Sequence, residues 1–281
     1  MTDIGFKHVT PALPSTVVAS PALTGALRRV GWAALGLLPP LALLLLWQFA
    51  VDQEWLAEQI LPAPALVWDT TRELIASGEL AAELGVSLQR VLAGVAMGGG
   101  LGLLAGLAFG LSRGLDTYVA PTVRAICLVP SLGWLPFFML IFGIGEALKI
   151  ILIAKTCFLP LMVCAQEGLR SRPAKYDEVA AALNLSGLDR LRFVTLPAIL
   201  PHLLTGLRLA LSKGWKALIL VEMISSAAGL GYLMMWGRKA FQLDVVFATI
   251  IAIGLVGWLL DQAVWRLQRR ATGWSFQKAE P

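Results

Sequence analysis

Apolar residues along this chain gather into long runs. Six stretches, at roughly 31–50, 84–111, 119–142, 147–168, 198–224 and 244–265, are largely apolar over about twenty residues or more, the length a helix needs to cross a bilayer core. The first follows Arg28 and Arg29 and contains Pro39 and Pro40, which predict a kink. No small-x-small site follows it, so it reads as an uncleaved anchor rather than a signal peptide. Residues 1–27 read as a poorly ordered tail. The division expected is a tail at 1–30, a first span at 31–50, an outer segment at 51–83, a core at 84–268 and a second tail at 269–281.

In the second run Gly94, Gly98, Gly102, Gly106 and Gly110 recur every fourth residue. They make a smooth stripe on one helix face, which lets another backbone approach closely. Tight packing inside the bundle is the first reading, and a gate-lining or subunit-facing stripe is the second.

The polar positions carry a different pattern between the fourth and fifth runs. Over 174–183, AKYDEVAAAL, residues Tyr176, Val179, Ala180 and Leu183 fall at i, i+3, i+4 and i+7 and predict a short helix with one apolar face. Asn184 follows, where a helix often ends in a left-handed residue, a conformation Asn tolerates second only to Gly. Ser186 then predicts the cap of a second helix, with Asp189 three residues on. Leu188, Leu191 and Val194 give that helix an apolar side. Pro197 and Pro201 are expected to close the region and redirect the chain into the fifth run. An interhelical loop needs only a few residues. A helix–turn–helix with two patterned faces fits the groove of a partner better than a plain solvated loop does.

Composition agrees with a membrane protein. The 281 residues are 57% hydrophobic and 15% charged, against about 25% charged in soluble domains. Cys127, Cys157 and Cys164 all sit in apolar runs and predict buried structural thiols, not a disulfide framework or a metal site. His8 and His202 are too far apart in sequence to suggest a catalytic dyad. The net charge of +5 carries no basic face interleaved with aromatics, so nucleic acid is not an expected partner.

Placement explains the charge better. Lys7, Arg28 and Arg29 precede the first run, Arg113 follows the second, and 169–197 holds Arg170, Arg172, Lys175, Arg190 and Arg192. Residues 51–83 are acidic, with Asp52, Glu54, Glu58, Asp69, Glu73, Glu79 and Glu83 against Arg72. Basic loops stay in the cytoplasm. This places both termini, 112–117 and 169–197 inside, with Arg238 and Lys239 as the outer exception.

Charges inside spans cost about 2.5–3.5 kcal/mol each on insertion scales and tend to face a cavity or a partner. Arg124, Lys155, Arg208, Lys213 and Lys216 are read here, against Glu222 as the one mid-span carboxylate. Such an excess of cation predicts a path that accepts an anion, with Trp134 and Trp215 as possible lining. The alternative is structural, in which Arg208 and Lys213 snorkel to the inner surface and Arg124 reaches the inner surface or binds backbone carbonyls.

No G-x-x-x-x-G-K-[ST] motif occurs, so uphill transport would need a separate ATPase. A stand-alone secondary transporter would need coupling-ion sites, carboxylates or unwound half-helices at mid-membrane, and Glu222 as the only mid-span carboxylate counts against it. An intramembrane enzyme would need a constellation such as H-E-x-x-H, which the sequence lacks. No catalytic or metal-binding residue is assigned.

Glu178, Val179, Ala180, Asn184, Val194 and Leu196-Pro197 resemble the EAA signature of bacterial ABC importer permeases: E-A-A, three residues, G, nine residues, I, x, L-P. Val179 stands for Ala and Asn184 for Gly. ILPAP (60–64), SGEL (77–80), SLQRVLAG (87–94), FGIGEALKI (142–150), TGLRLAL (205–211) and GLGYLM (229–234) resemble the aliphatic sulfonate, taurine and nitrate group of those permeases. The resemblance implies an all-α membrane protein of six spans with the type I importer permease fold. It implies a coupling helix within 172–196, with Tyr176, Glu178, Val179, Ala180, Leu183, Asn184, Ser186 and Gly187 forming or shaping the contact with an ATPase. It also implies a bacterial inner-membrane location, a second permease copy and two ATP-binding subunits that hold ATP and Mg²⁺. A periplasmic substrate-binding protein completes the assembly. The expected activity is import of a small anion by alternating access, with aliphatic sulfonates first and taurine and nitrate as alternatives.

Overall fold

The computed structural model describes residues 21–57, 60–173 and 175–272. Among them every regular element is helical. The chain divides into two compact units, 1–56 and 57–281.

The first unit contains α1 (Pro21–Asp52), which runs through Pro39 and Pro40. The expected span at 31–50 lies within it, and its apolar part, Leu38–Asp52, is shorter than a full crossing. Because α1 begins at Pro21, residues 21–30 are helical rather than a tail. The rest of the expected N-terminal tail lies outside the described residues.

The second unit opens with α2 (Pro64–Ala76), which begins on Pro64 as a pre-set first helical residue. After Gly78 in a left-handed turn, α3 (Glu79–Leu111) crosses as the second expected span. Short α4 (Arg113–Tyr118) and α5 (Ala120–Leu128) follow. A one-turn helix at Ser131–Trp134 then leads into α6 (Leu135–Phe142). The fourth span is α7 (Glu146–Arg170). The polar segment forms α8 (Lys175–Ala182) and α9 (Gly187–Asp189), and α10 (Leu196–Ser225) is the fifth span. Beyond it lie α11 (Leu230–Lys239) and α12 (Leu243–Ala271), the last span. The expected tail from 269 is therefore helical to Ala271, and 273–281 lie outside the described residues.

Four of these helices are long and apolar enough to cross a membrane: α3, α7, α10 with its helical lead-in, and α12. The stretch expected as one straight span at 119–142 is instead broken, with its halves bent by 88°. The cause is local. Pro130 has no N–H to continue the helix and drives Val129 into extended geometry (φ −63°, ψ 124°). From α7, Lys155 Nζ donates to the Val129 carbonyl at 2.7 Å, and the hydroxyls of Thr156 and Ser131 lie 2.6 Å apart.

The glycine stripe of α3 is a packing surface. A Cβ on Gly94 would lie 2.6 Å from Ile153 Cβ, one on Gly98 would sit on the Ala154 carbonyl, and those on Gly102 and Gly106 would strike the carbonyls of Phe158 and Met162. Bare backbone lets α3 and α7 touch along their length, as the first reading of the stripe expected. Behind this pair, Val91, Ile153, Cys157, Leu161, Trp215, Leu218 and Leu230 form the main apolar core. Cys157 is buried there, its thiol against the Ala210 carbonyl at 3.3 Å, while Cys127 and Cys164 are half-buried and free.

Candidate functional site

The polar segment folds as helix, sharp turn, helix. Asn184 has φ 47°, in the left-handed region. Leu185 N donates to Ala180 O at 3.1 Å and Asn184 N to Ala181 O at 3.0 Å, so the last carbonyls of α8 are satisfied by the turn. Ser186 caps the next helix: its Oγ accepts from Asp189 N at 3.2 Å and donates to Asp189 Oδ2 at 2.7 Å. Arg172 donates to Thr195 Oγ1 at 2.7 Å and ties the two ends of the segment together.

The apolar face of α8 splits. Ala180 is buried, whereas Tyr176, Val179 and Leu183 stay exposed, as do Leu188 and Phe193 beyond the turn. Tyr176 and Val179 line an apolar cleft with Phe193, Val194, Pro197 and Ala198. Glu178 and Gly187 are exposed on the same knuckle. Large exposed side chains beside this left-handed turn make a local apolar surface, the kind of patch that marks protein–protein contact.

Pro197 and Pro201 do not redirect the chain. The helix that Ser186 caps runs without a break from Gly187 to Ser225, 39 residues. Residues Arg190–Thr195 widen into a π-helical turn. Pro197 cannot donate to the carbonyl four residues back, and its ring would crowd it; the wider turn absorbs both effects.

The charges read inside spans are scattered among different environments. Lys155 is half-buried, pinned to Val129 and 5.7 Å from the Trp134 ring. Arg124 donates to Gln166, which donates to Asp116, and Asp116 also accepts from Arg170. Arg124 thus joins a side-chain relay between the broken span and α7, not a run of backbone carbonyls. Arg124 Nε and Trp134 Nε1 are buried without a partner among the described residues. Arg208 forms a two-pronged pair with Asp261 of α12, at 2.6 and 2.5 Å. Lys213 and Lys216 are exposed on α10, and Trp215 is buried beside them, donating to Ile253 O at 3.2 Å. Arg208, Ser212, Trp215 and Lys216 line one cleft together with Asp261, Ile253, Gly254 and Gly257.

Glu222 stands apart from that cleft. It is fully buried and accepts from Ser87 Oγ (2.9 Å), Arg90 Nη1 (2.8 Å) and Gly231 N (3.0 Å). Arg90 also donates to both Glu146 oxygens, at 2.6 and 2.7 Å, and to the Ala228 carbonyl at 2.6 Å. Lys149 adds a 2.7 Å contact to Glu146, and Ser87 Oγ accepts from Leu230 N. This cluster fastens α3, α7 and α10 to the turn that starts α11. The count of one carboxylate against five cations is corrected accordingly: Asp261 is a second span carboxylate, and Glu146 closes the network at the head of α7.

Residues 98–273 match the family model described as "Binding-protein-dependent transport system inner membrane component". The chain belongs to that family. Among curated relatives, this permease is 36% identical over 247 residues to the aliphatic sulfonates transport permease protein SsuC of Bacillus subtilis (strain 168), covering 88% of this chain and 89% of that one. It is 37% identical to the SsuC protein of Escherichia coli (strain K12), covering 84% and 90%. It is also 37% identical to the taurine transport system permease protein TauC of the same strain, over 57% of this chain and 62% of that one. A solved structure titled as an inward-facing conformation of the MetNI methionine ABC transporter superposes with a TM-score of 0.54 at 19% identity, covering 66% of this chain and 94% of that one. The permease therefore has the all-helical fold of that class and is an ABC importer permease of the sulfonate and taurine group.

Sequence reasoning on the permease missed Arg90, Glu146, Lys149 and Asp261. A signal was present. Arg90 and Asp261 are charges inside apolar runs, and SLQRVLAG, FGIGEALKI and GLGYLM each contribute to the buried network.

Proposed function

We propose that this permease is the membrane-spanning subunit of an ATP-driven importer that moves a small anion, an aliphatic sulfonate first, into the cytoplasm by alternating access. In this reading two copies pair in the bacterial inner membrane, each with six spans and both termini in the cytoplasm. Two ATP-binding subunits, which carry ATP and Mg²⁺, receive the knuckle at 172–196. A periplasmic binding protein delivers the anion to the outer side. The permease breaks no bond in its cargo.

One observation carries the reading: the rigid turn at Asn184, with exposed Tyr176, Val179, Leu183 and Leu188 around it, continues as one helix into the fifth span. A partner that grips the knuckle thereby acts on a membrane helix. The sulfonate head of the reading is supported by the SsuC relatives, and taurine by TauC.

The test is reconstitution in proteoliposomes with the partner ATP-binding subunits and binding protein. Uptake of labelled ethanesulfonate should require ATP and both partners, with taurine and nitrate as competing substrates. Uptake by the permease alone, driven by an ion gradient, would replace this reading with a secondary transporter.

A further inference from the structure

We propose that the cleft between α10 and α12 is a sulfonate-binding site within this chain; the proposal rests on the functional reading above and gives its cargo a place. The cleft encloses about 290 Å³. Arg208, Ser212 and Lys216 stand four residues apart on α10 and therefore form one ridge along the helix face. That ridge spans about 12 Å between its ends. At one end Arg208 is satisfied by Asp261. At the other, the Lys216 ammonium is exposed and has no hydrogen bond or ion pair among the described residues. An unpaired lysine in a membrane span costs about 2.5–3.5 kcal/mol, so it marks a place where a counter-charge or water is supplied.

The opposite wall is apolar. Ile253 and Leu260 of α12 line it, Leu211 adds apolar surface from α10, and the Trp215 indole is tied to α12 by its bond to the Ile253 carbonyl. The hollow itself comes from α12, where Gly254 and Gly257 leave out side chains. Gly257 is filled by Trp215, 3.0 Å from where its Cβ would stand, but around Gly254 nothing lies within 4 Å. The site thus offers one free cation with a hydroxyl beside it, an apolar trough, and a closed ion pair at the far end. That is the chemistry of a short alkyl chain carrying one anionic head. The head sits on Lys216 and Ser212, and the chain lies over Gly254 toward Leu260.

Binding is measured by ligand-observed NMR on the assembled transporter in nanodiscs without binding protein, so that the partner's selectivity does not intervene. The probes are hexanesulfonate, methanesulfonate and hexylammonium. Hexanesulfonate should bind and hexylammonium should not. Lys216→Met should weaken both sulfonates about tenfold, a change of about 1.4 kcal/mol, and Lys216→Arg should restore them. A Cβ at Gly254 has open space around it, so Gly254→Leu should project into the hollow and abolish hexanesulfonate binding while methanesulfonate binding persists. Wild-type affinity for hexanesulfonate in both Lys216→Met and Gly254→Leu overturns the proposal, as does equal binding of hexylammonium. ATP-driven uptake by the wild-type assembly, measured in parallel, keeps failure of the cleft apart from failure of the importer reading.

Discussion

Arg90 and Glu222 are 132 residues apart and meet with almost no exposure, 5% and 0%. Breaking such a pair by removing one partner leaves a buried charge unanswered, at a cost of about 3–5 kcal/mol. Arg90→Met and Glu222→Met should therefore each lower the thermal unfolding midpoint in detergent strongly. The double variant Arg90→Met with Glu222→Met should recover part of that loss, because no lone charge remains. A loss in the double variant equal to the sum of the two single losses would show that the pair is not coupled. The contrast with Asn184 explains what the sequence discloses at this scale. A left-handed helix end depends on neighbours a few residues away, so its chemistry is legible locally. The partner of Glu222 depends on how three distant helices pack, and a one-dimensional pattern carries the charges without their pairing. Lys216 stood as one more cation in a span until Asp261 was seen to claim Arg208 and not it.

Elements show the same division. Runs of apolar residues located α3, α7, α10 and α12 to within a few residues, because the bilayer dictates their length. The bend at Val129 was missed, although Pro130 marks it, because a hydrophobic run looks alike whether straight or broken. Pro197 misled in the opposite direction: a wide turn just before it lets the helix continue. The turn after α8 offers a direct check. Asn184→Val forces a branched side chain into left-handed geometry, which costs about 1–2 kcal/mol, whereas Asn184→Gly removes that cost. Limited proteolysis of the 172–196 segment should be faster in the valine variant and unchanged or slower in the glycine variant. The reverse order would mean that the turn does not depend on that backbone conformation.

For the whole molecule, the importer reading requires that the knuckle pass force between proteins. Glu178 is exposed on it and belongs to no buried network described above. Glu178→Lys reverses its charge while leaving the membrane helices untouched. It should abolish stimulation of ATP hydrolysis by loaded binding protein, with the monodisperse elution of the permease preserved. Unchanged stimulation would remove Glu178 from the contact.

The uninterrupted helix from Gly187 to Ser225 has a mechanical consequence. Its 39 residues extend about 58 Å at about 1.5 Å each, and a helix unbroken over that length transmits tilt as well as thrust. Arg208, Trp215 and Lys216 ride on it at successive heights, while Glu222 near its tip is bolted to α3. In the importer reading such a beam would pivot about its bolted end. A small swing at the Gly187 end would then displace the Arg208 end of the trough more than the Lys216 end, so that the trough would be pried open from the Arg208 side.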